Sequence, residues 1–199
     1  SKQIVERYTG SAIGFYTSGQ LMLEEYYTLG MIGKAGLGTP HMDGNTRLCT
    51  ATAAAALKET FGCDGQPGCL ADVDAMDCLL MVGHNIAETQ TVSWMRVLDR
   101  RRGPVPPKLV VIDPRRTPTA AEADVHLAPK VGTNVAVLNG LLNLVIHHGD
   151  LDRAFIEAHT IGFEKLKEKV GTYTPQRVQE ITGIPAHDPG EVHERVPPQ

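Results

Sequence analysis

Two short apolar runs, Leu79-Leu80-Met81-Val82 and Leu109-Val110-Val111-Ile112, constrain this chain more than any other feature. Neither alternates apolar with polar residues, so each predicts a strand covered on both faces, as in the parallel sheets of α/β proteins. Between them, Ile86 to Arg102 predicts a helix with Ile86, Val92, Met95, Val97 and Leu98 available to its apolar face. Asn85, with Glu88 three positions on, predicts a capping box with Asn in the cap place. Arg100, Arg101 and Arg102 close the helix where cations suit its dipole. Strand, helix and strand at this spacing make a βαβ unit with parallel strands.

Other segments extend the pattern. Ala12 to Tyr16 predicts a strand, followed by the turn Thr17-Ser18-Gly19-Gln20. Leu21 to Ala35 predicts a helix stopped by Gly36 and Gly38. Cys49 to Phe61, rich in alanine, predicts another whose small side chains permit close approach to a sheet or cofactor. Val125 to Leu127 reads as a short edge strand. Asn134 to His148 reads as an amphipathic helix through Val135, Leu138, Leu141, Leu142, Val145 and Ile146. Leu151–His159, Phe163–Lys169 and Pro175–Ile181 give three shorter helices. The expected class is α/β, a doubly wound, mostly parallel, Rossmann-like sheet with helices on both faces. Residues 1–184 are expected to form one domain, with 185–199 a flexible tail.

Composition excludes several functions. Across 199 residues, 19 Lys and Arg stand against 23 Asp and Glu, a net charge of −4. Nucleic-acid binding would call for a basic stripe instead. No run approaches the ~18 apolar residues of a membrane span, and Ser1 to Arg7 is no signal peptide. The four cysteines form no CxxC pair. Cys78 reads as a small buried hydrophobe. Cys63 and Cys69 flank a Gly/Pro loop, where zinc would need two more ligands and a disulfide would need an oxidising compartment. Gly33 to Gly38 imitates a phosphate loop, but its spacing is neither GxGxxG nor GxxxxGK[ST], so it reads as a helix stop.

In open parallel sheets, ligands bind beyond the carboxyl ends of the strands. That rule selects Gly19-Gln20, Gly83-His84-Asn85, Asp113-Pro114-Arg115-Arg116-Thr117 and Gly132-Thr133-Asn134. Helix starts at Asn85 and Asn134 offer N–H groups to phosphate. Asp113 is placed to accept from a ribose or purine edge, and Arg115 and Arg116 to pair with pyrophosphate. A nucleotide-bearing ligand follows as an expectation. Plainer readings stand beside it: Asn85 and Glu88 as a helix cap, Asp113-Pro114 as a turn starter, and His84 as a structural donor.

Taken together, Tyr16 to Gln20, Asn45-Thr46-Arg47-Leu48-Cys49, Gly83-His84-Asn85-Ile86-Ala87-Glu88, Asp113 to Thr117 and Gly132 to Asn134 resemble the molybdopterin-guanine-dinucleotide oxidoreductases, nearest to the bacterial nitrate reductases. The resemblance runs in order across most of residues 12–183. It implies that Cys49 gives a thiolate to molybdenum, as catalytic residue and metal ligand, and that Gln20 and Asn45 approach the pterin. It assigns Gly83, His84, Asn85, Ala87, Glu88, Asp113, Arg115, Arg116, Thr117, Gly132, Thr133 and Asn134 to one guanine-dinucleotide arm of a bis(molybdopterin guanine dinucleotide) cofactor. A thiolate suits that metal, and a helix start at Cys49 would favour the thiolate form. Arg47 is open to three roles: substrate anion, phosphate or structural partner.

The implied reaction is oxygen-atom transfer from nitrate, or another small oxyanion, giving nitrite. Formate dehydrogenases of the family place His after the metal-binding residue and nitrate reductases often Met, whereas Thr50 stands here. Thr50 thus argues against formate and also departs from the nitrate pattern, and formate oxidation stays as an alternative. A molybdenum-free relative, such as the large cluster-carrying subunit of NADH dehydrogenases, is a second, and a simple mononucleotide-binding module or a purely structural domain a third. The resemblance further implies a central piece of a larger enzyme, inactive alone. A four-iron four-sulfur cluster would lie in a segment before residue 1 and receive electrons from a donor protein or domain. Neither a nucleic-acid partner nor a membrane span is expected, and the default compartment is the cytoplasm.

Overall fold

A computed structural model describes residues 2–186. The tail expected from Pro185 onward lies, beyond Ala186, outside the described residues. The chain divides into two compact units at Gly68–Cys69.

The first unit opens with α1 (Lys2–Tyr8) and a 3-10 turn, Gly10–Ala12, before β1 (Phe15–Thr17). Helix α2 (Leu23–Gly30) runs without a break into a π-helical segment, Met31–Leu37, which Gly38 ends with φ +69°. The helix expected over Leu21–Ala35 is present with shifted ends: it starts at Leu23 and continues as π-helical turns through Gly33 and Gly36, so only the left-handed Gly38 stops it. Strand β2 (Met42–Gly44) lies parallel to β1, with Phe15 opposite Met42 and Thr17 opposite Gly44. Buried Thr39 ties this sheet's approach together, its Oγ1 donating to Ile13 O at 2.7 Å.

The alanine-rich helix differs from expectation at its start. Cys49 ends a single turn, α3 (Thr46–Cys49), and α4 runs from Ala51 to Phe61. Between them Thr50 leaves helical geometry (φ −111°, ψ 5°), and its hydroxyl donates back to Thr46 O at 2.6 Å. A threonine hydroxyl that satisfies a backbone carbonyl competes with helix continuation. No residue of α4 is buried.

The second unit holds α5 (Asp72–Ala75) and a parallel sheet of β3 (Cys78–Val82), β4 (Lys108–Ile112) and β5 (Val125–Leu127), ordered β3-β4-β5. Both apolar runs are thus adjacent strands, in register from Cys78 opposite Lys108 to Val82 opposite Ile112, and Val125–Leu127 is the edge strand expected. Alternate residues of β4 serve opposite faces, as the pleat requires. Leu109 and Val111 pack with Trp94, Val97 and Ala120; Val110 and Ile112 pack with Leu127, Val137 and Ile184. Full burial of each such aliphatic side chain contributes about 1.5–3 kcal/mol. Helices pack on both faces, α7 (Thr91–Arg101) and α8 (Pro118–Ala121) on one and α9 (Asn134–His148) on the other, but Leu80 of β3 stays half-exposed, so that run is not fully covered as expected.

The helix expected over Ile86–Arg102 is two helices. A short α6 (Ile86–Thr89) stops at Gln90, whose φ of −138° and ψ of 66° cannot continue it, and α7 starts at Thr91. The buried face of α7 is Trp94 and Val97 with Leu98 beside them, whereas Val92 and Met95 point to solvent. Spacing of i, i+3 and i+4 from Trp94 sets that face. On α9 the buried residues are Ala136, Val137 and Gly140, with Leu141 packed alongside, while Val135 is exposed. Contact with a neighbouring helix moves the face: α12 (Pro175–Thr182) lies so close that a Cβ on Gly140 would meet Val178 Cγ2 at 2.6 Å. Two further helices, α10 (Arg153–His159) and α11 (Phe163–Val170), complete the unit near the expected places. α10 starts two residues later than Leu151 because Asp152 caps it, accepting from Phe155 N at 2.9 Å.

Candidate functional site

In the first unit, the turn after β1 and the residue after β2 meet. Asn45 Oδ1 accepts from Gly19 N at 2.7 Å, and Asn45 N donates to Thr17 O at 3.0 Å. Gly19 allows this approach, because a Cβ there would lie 2.4 Å from Thr46 Cγ2. Ser18 Oγ donates to Gln20 Oε1 at 3.0 Å, and the Tyr26 hydroxyl donates to Ser18 O. The structure thus brings Gln20 and Asn45 to one strand-end loop. Tyr26, which no local sequence signal marks, holds that loop from α2. An open cavity of about 400 Å³ lies here, lined in part by Ser18, Gly19, Asp43 and Thr46.

Asp43, which lines it, pairs with Arg47 at 3.2 Å. The Gly44 amide and then Arg47 hold the Asp43 carboxyl below its ordinary range. Arg47 is therefore engaged with a carboxylate of its own unit. Cys49 follows on the same short turn, exposed and unbonded at Sγ among the described residues. It stands just before α4 rather than inside its first turn.

In the second unit, the carboxyl ends of β3 and β4 lie side by side. Gly83 N donates to Ile112 O at 2.8 Å and then turns with φ +63°. His84 Nε2 shares a hydrogen bond with Gln90 Oε1 at 2.5 Å, which meets the structural-donor reading of that histidine. Asp113 is buried; its Oδ1 accepts from Arg115 N at 2.8 Å and its carbonyl is bonded to His126 Nε2 at 2.8 Å. The Asp113-Pro114 pair is thus a turn starter with its carboxylate folded inward. Thr117 caps α8, accepting from Ala120 N at 3.2 Å. The Arg115 and Arg116 side chains are exposed and make no ion pair among the described residues.

Asn85 corrects the expected capping box. Its side chain makes no cap bond to the helix backbone; Nδ2 donates to Glu88 Oε2 at 2.6 Å, and Oδ1 accepts from Thr119 Oγ1 at 2.9 Å. The helix amide is met instead by Thr119, whose Oγ1 accepts from Ala87 N at 3.0 Å. A partner 32 residues away supplies what the local motif was expected to supply.

The third segment begins α9. Gly132 has φ +84°, and Thr133 Oγ1 turns back to Lys130 O at 2.6 Å, so it does not cap the helix. The amides of Asn134 and Val135 have no hydrogen-bond partner among the described residues, which leaves them open to an anion. No hydrogen bond among the described residues joins this segment to the other two; Lys130 N instead donates to Thr182 O at 2.9 Å, tying it to α12.

All four cysteines are free thiols. Burial, then the charge of Asp124, raises the Cys78 pKa, consistent with an inert structural thiol. No three His, Cys, Asp or Glu side chains come together as a metal site among the described residues.

The sequence as a whole decides the family. A family model for molybdopterin oxidoreductases matches residues 1–169. The chain belongs to the molybdopterin oxidoreductase family. It is 35% identical over 183 residues to a nitrate reductase of Synechocystis sp., covering 92% of this chain and 26% of that protein. It is also 34% identical over 172 residues to an F420-dependent formate dehydrogenase subunit alpha of Methanocaldococcus jannaschii, covering 86% and 25%. Among solved structures, acetylene hydratase from Pelobacter acetylenicus superposes with a TM-score of 0.73 at 31% identity, over 96% of this chain and 25% of that one. The chain thus spans about a quarter of the length of these relatives.

Membership implies a molybdopterin cofactor. The donor chemistry of this molybdopterin oxidoreductase chain fits one: guanidinium groups at Arg115 and Arg116 that make no ion pair among the described residues, and the open amides that start α9. No described helix is long and apolar enough to cross a membrane.

Proposed function

We propose that this chain forms the central cofactor-binding part of a molybdenum enzyme that reduces nitrate to nitrite. The observation that carries the reading is the exposed, unbonded Cys49 thiol placed just before α4, in a chain of this family. Its thiolate would be the protein's ligand to molybdenum, with the remaining ligands coming from the pterins. The positive end of α4 beside it favours the negative charge of that thiolate. Bound there, the cofactor would supply the two-electron chemistry that takes one oxygen from nitrate, with two protons, and leaves nitrite and water.

The residues around it hold and orient. Gln20 and Asn45, fixed by the Gly19 and Ser18 bonds, would face the pterin. Gly83 to Glu88 and Asp113 to Thr117 would take one guanine-dinucleotide arm, with Arg115 and Arg116 as cations for its pyrophosphate. Gly132 to Asn134 would add amides at the α9 start. A four-iron four-sulfur cluster and an electron donor are proposed for the larger protein, and the cytoplasm as its compartment.

Thr50 after Cys49 favours nitrate over formate, because the resemblance implies His there for formate dehydrogenases, although nitrate reductases often carry Met. The test uses the full-length polypeptide carrying this chain. Cys49→Ser is expected to leave folding nearly unchanged and abolish nitrate reduction. Wild-type turnover in that variant removes Cys49 from the metal, and formate oxidation by the unmodified enzyme, without nitrate reduction, overturns the substrate.

A further inference from the structure

We propose that Thr119 is a positioning residue that locks the two strand-end segments, Gly83–Glu88 and Asp113–Thr117, into one nucleotide-binding surface. The proposal rests on the dinucleotide reading of those segments and deepens it. Thr119 lies on α8, directly after the Asp113–Thr117 turn, and is fully buried. Its single hydroxyl is used twice: it accepts from Ala87 N at 3.0 Å and donates to Asn85 Oδ1 at 2.9 Å. Both partners belong to the segment after β3, while Thr119 itself is carried by the segment after β4. The hydroxyl is therefore a direct hydrogen-bonded link between the two.

The link fixes more than distance. With Oδ1 held by Thr119, the Asn85 amide is turned toward Glu88, to which it donates at 2.6 Å. That chain of bonds orients the whole Asn85–Glu88 turn from a fully buried hydroxyl. On the other side, α8 is itself pinned by the Thr117 cap, and Asp113 sets the turn before it. A hydroxyl has one proton and lone pairs to accept with, so one side chain can serve an amide donor and a carbonyl acceptor together. Valine has the same shape and can do neither. Buried groups left unpaired in its place are costly and look for other partners.

The test compares Thr119→Val and Thr119→Ser in the full chain, with GDP as the probe. Binding is measured by calorimetry, fold stability by urea unfolding, and exchange of the Ala87 amide by NMR. Thr119→Val is expected to weaken GDP binding about tenfold or more, the equivalent of one lost hydrogen-bonded link, and to speed Ala87 exchange. Thr119→Ser is expected to restore both, because it keeps the hydroxyl. Should the valine variant fail to fold, Thr119→Ala is read in its place.

A stability loss in Thr119→Val with unchanged GDP affinity overturns the positioning role while leaving the dinucleotide reading in place. So does a serine variant that loses affinity while folded. Absence of GDP binding by the unmodified chain overturns the dinucleotide reading itself, and the positioning proposal with it.

Discussion

At the amino end of the β3-β4-β5 sheet, arginines are tied down; at its carboxyl end, they are not. Arg100 Nε donates to Asp74 O at 3.0 Å, and its other nitrogens reach Met76 O and Val105 O. Arg101 donates to Pro107 O and Asp124 Oδ2, both at 2.8 Å, and to Glu122 O at 3.1 Å. Between them these side chains bracket the approaches to all three strands. At the other end, Arg115 and Arg116 stand exposed without an ion pair among the described residues. The same residue type serves as a fastener where carbonyls and a carboxylate surround it, and stays available to an anion where they do not. A guanidinium fork suits both uses.

Removing a fastener should break this contrast most. Arg101→Ala leaves Asp124 and two carbonyls without their partner in a partly buried place, and is expected to cost about 2–3 kcal/mol, read by urea unfolding. A loss no greater than for an ordinary surface substitution would erase the distinction between the ends.

Acid should act on the same cluster, less strongly. Burial pushes the Asp124 carboxyl up, but Arg101, the Leu109 amide and Lys108 outweigh it and hold the group below its ordinary 3.8. A carboxyl lowered in the folded state stabilises the fold above its unfolded pKa, and that stability is lost as pH falls through the folded value. Below about pH 4 the wild type should therefore lose its advantage over Asp124→Asn. Parallel stability curves for the two proteins between pH 7 and acid would contradict this.

The carboxyl end should show the smallest change in stability. Arg115→Ala with Arg116→Ala is expected to stay within about 0.5 kcal/mol of wild type. GDP binding should weaken in the same double variant and lose part of its salt dependence. A marked stability loss would show that these arginines, too, are fasteners.

Arg100 to Arg102 illustrate where sequence reading stops. Their place at a helix end suggests interaction with the dipole, and Arg102, paired with Asp99 at 3.6 Å, stays on its own helix. The partners of Arg100 and Arg101 come from α5 and from loops, up to 26 residues away, which no local pattern can specify. Asn85 shows the same limit: its spacing to Glu88 predicts a cap, and the two do meet, but Thr119 takes the capping role. Cys49 was legible as a residue, whereas its place before α4 depended on how Thr50 bonded.

What the sequence determined by itself is the scaffold. The apolar runs Leu79–Val82 and Leu109–Ile112 called for parallel strands between helices, and Asn134–His148 for an amphipathic helix; all three formed, although Leu80 stays half-exposed. Those are local consequences of periodicity and residue type. Tertiary structure alone decided which hydroxyl meets which amide and which arginines keep their charge for a ligand. Hydrogen bonds are short and directional, so such pairings exist only once the packed strands and helices have brought distant residues within about 3 Å.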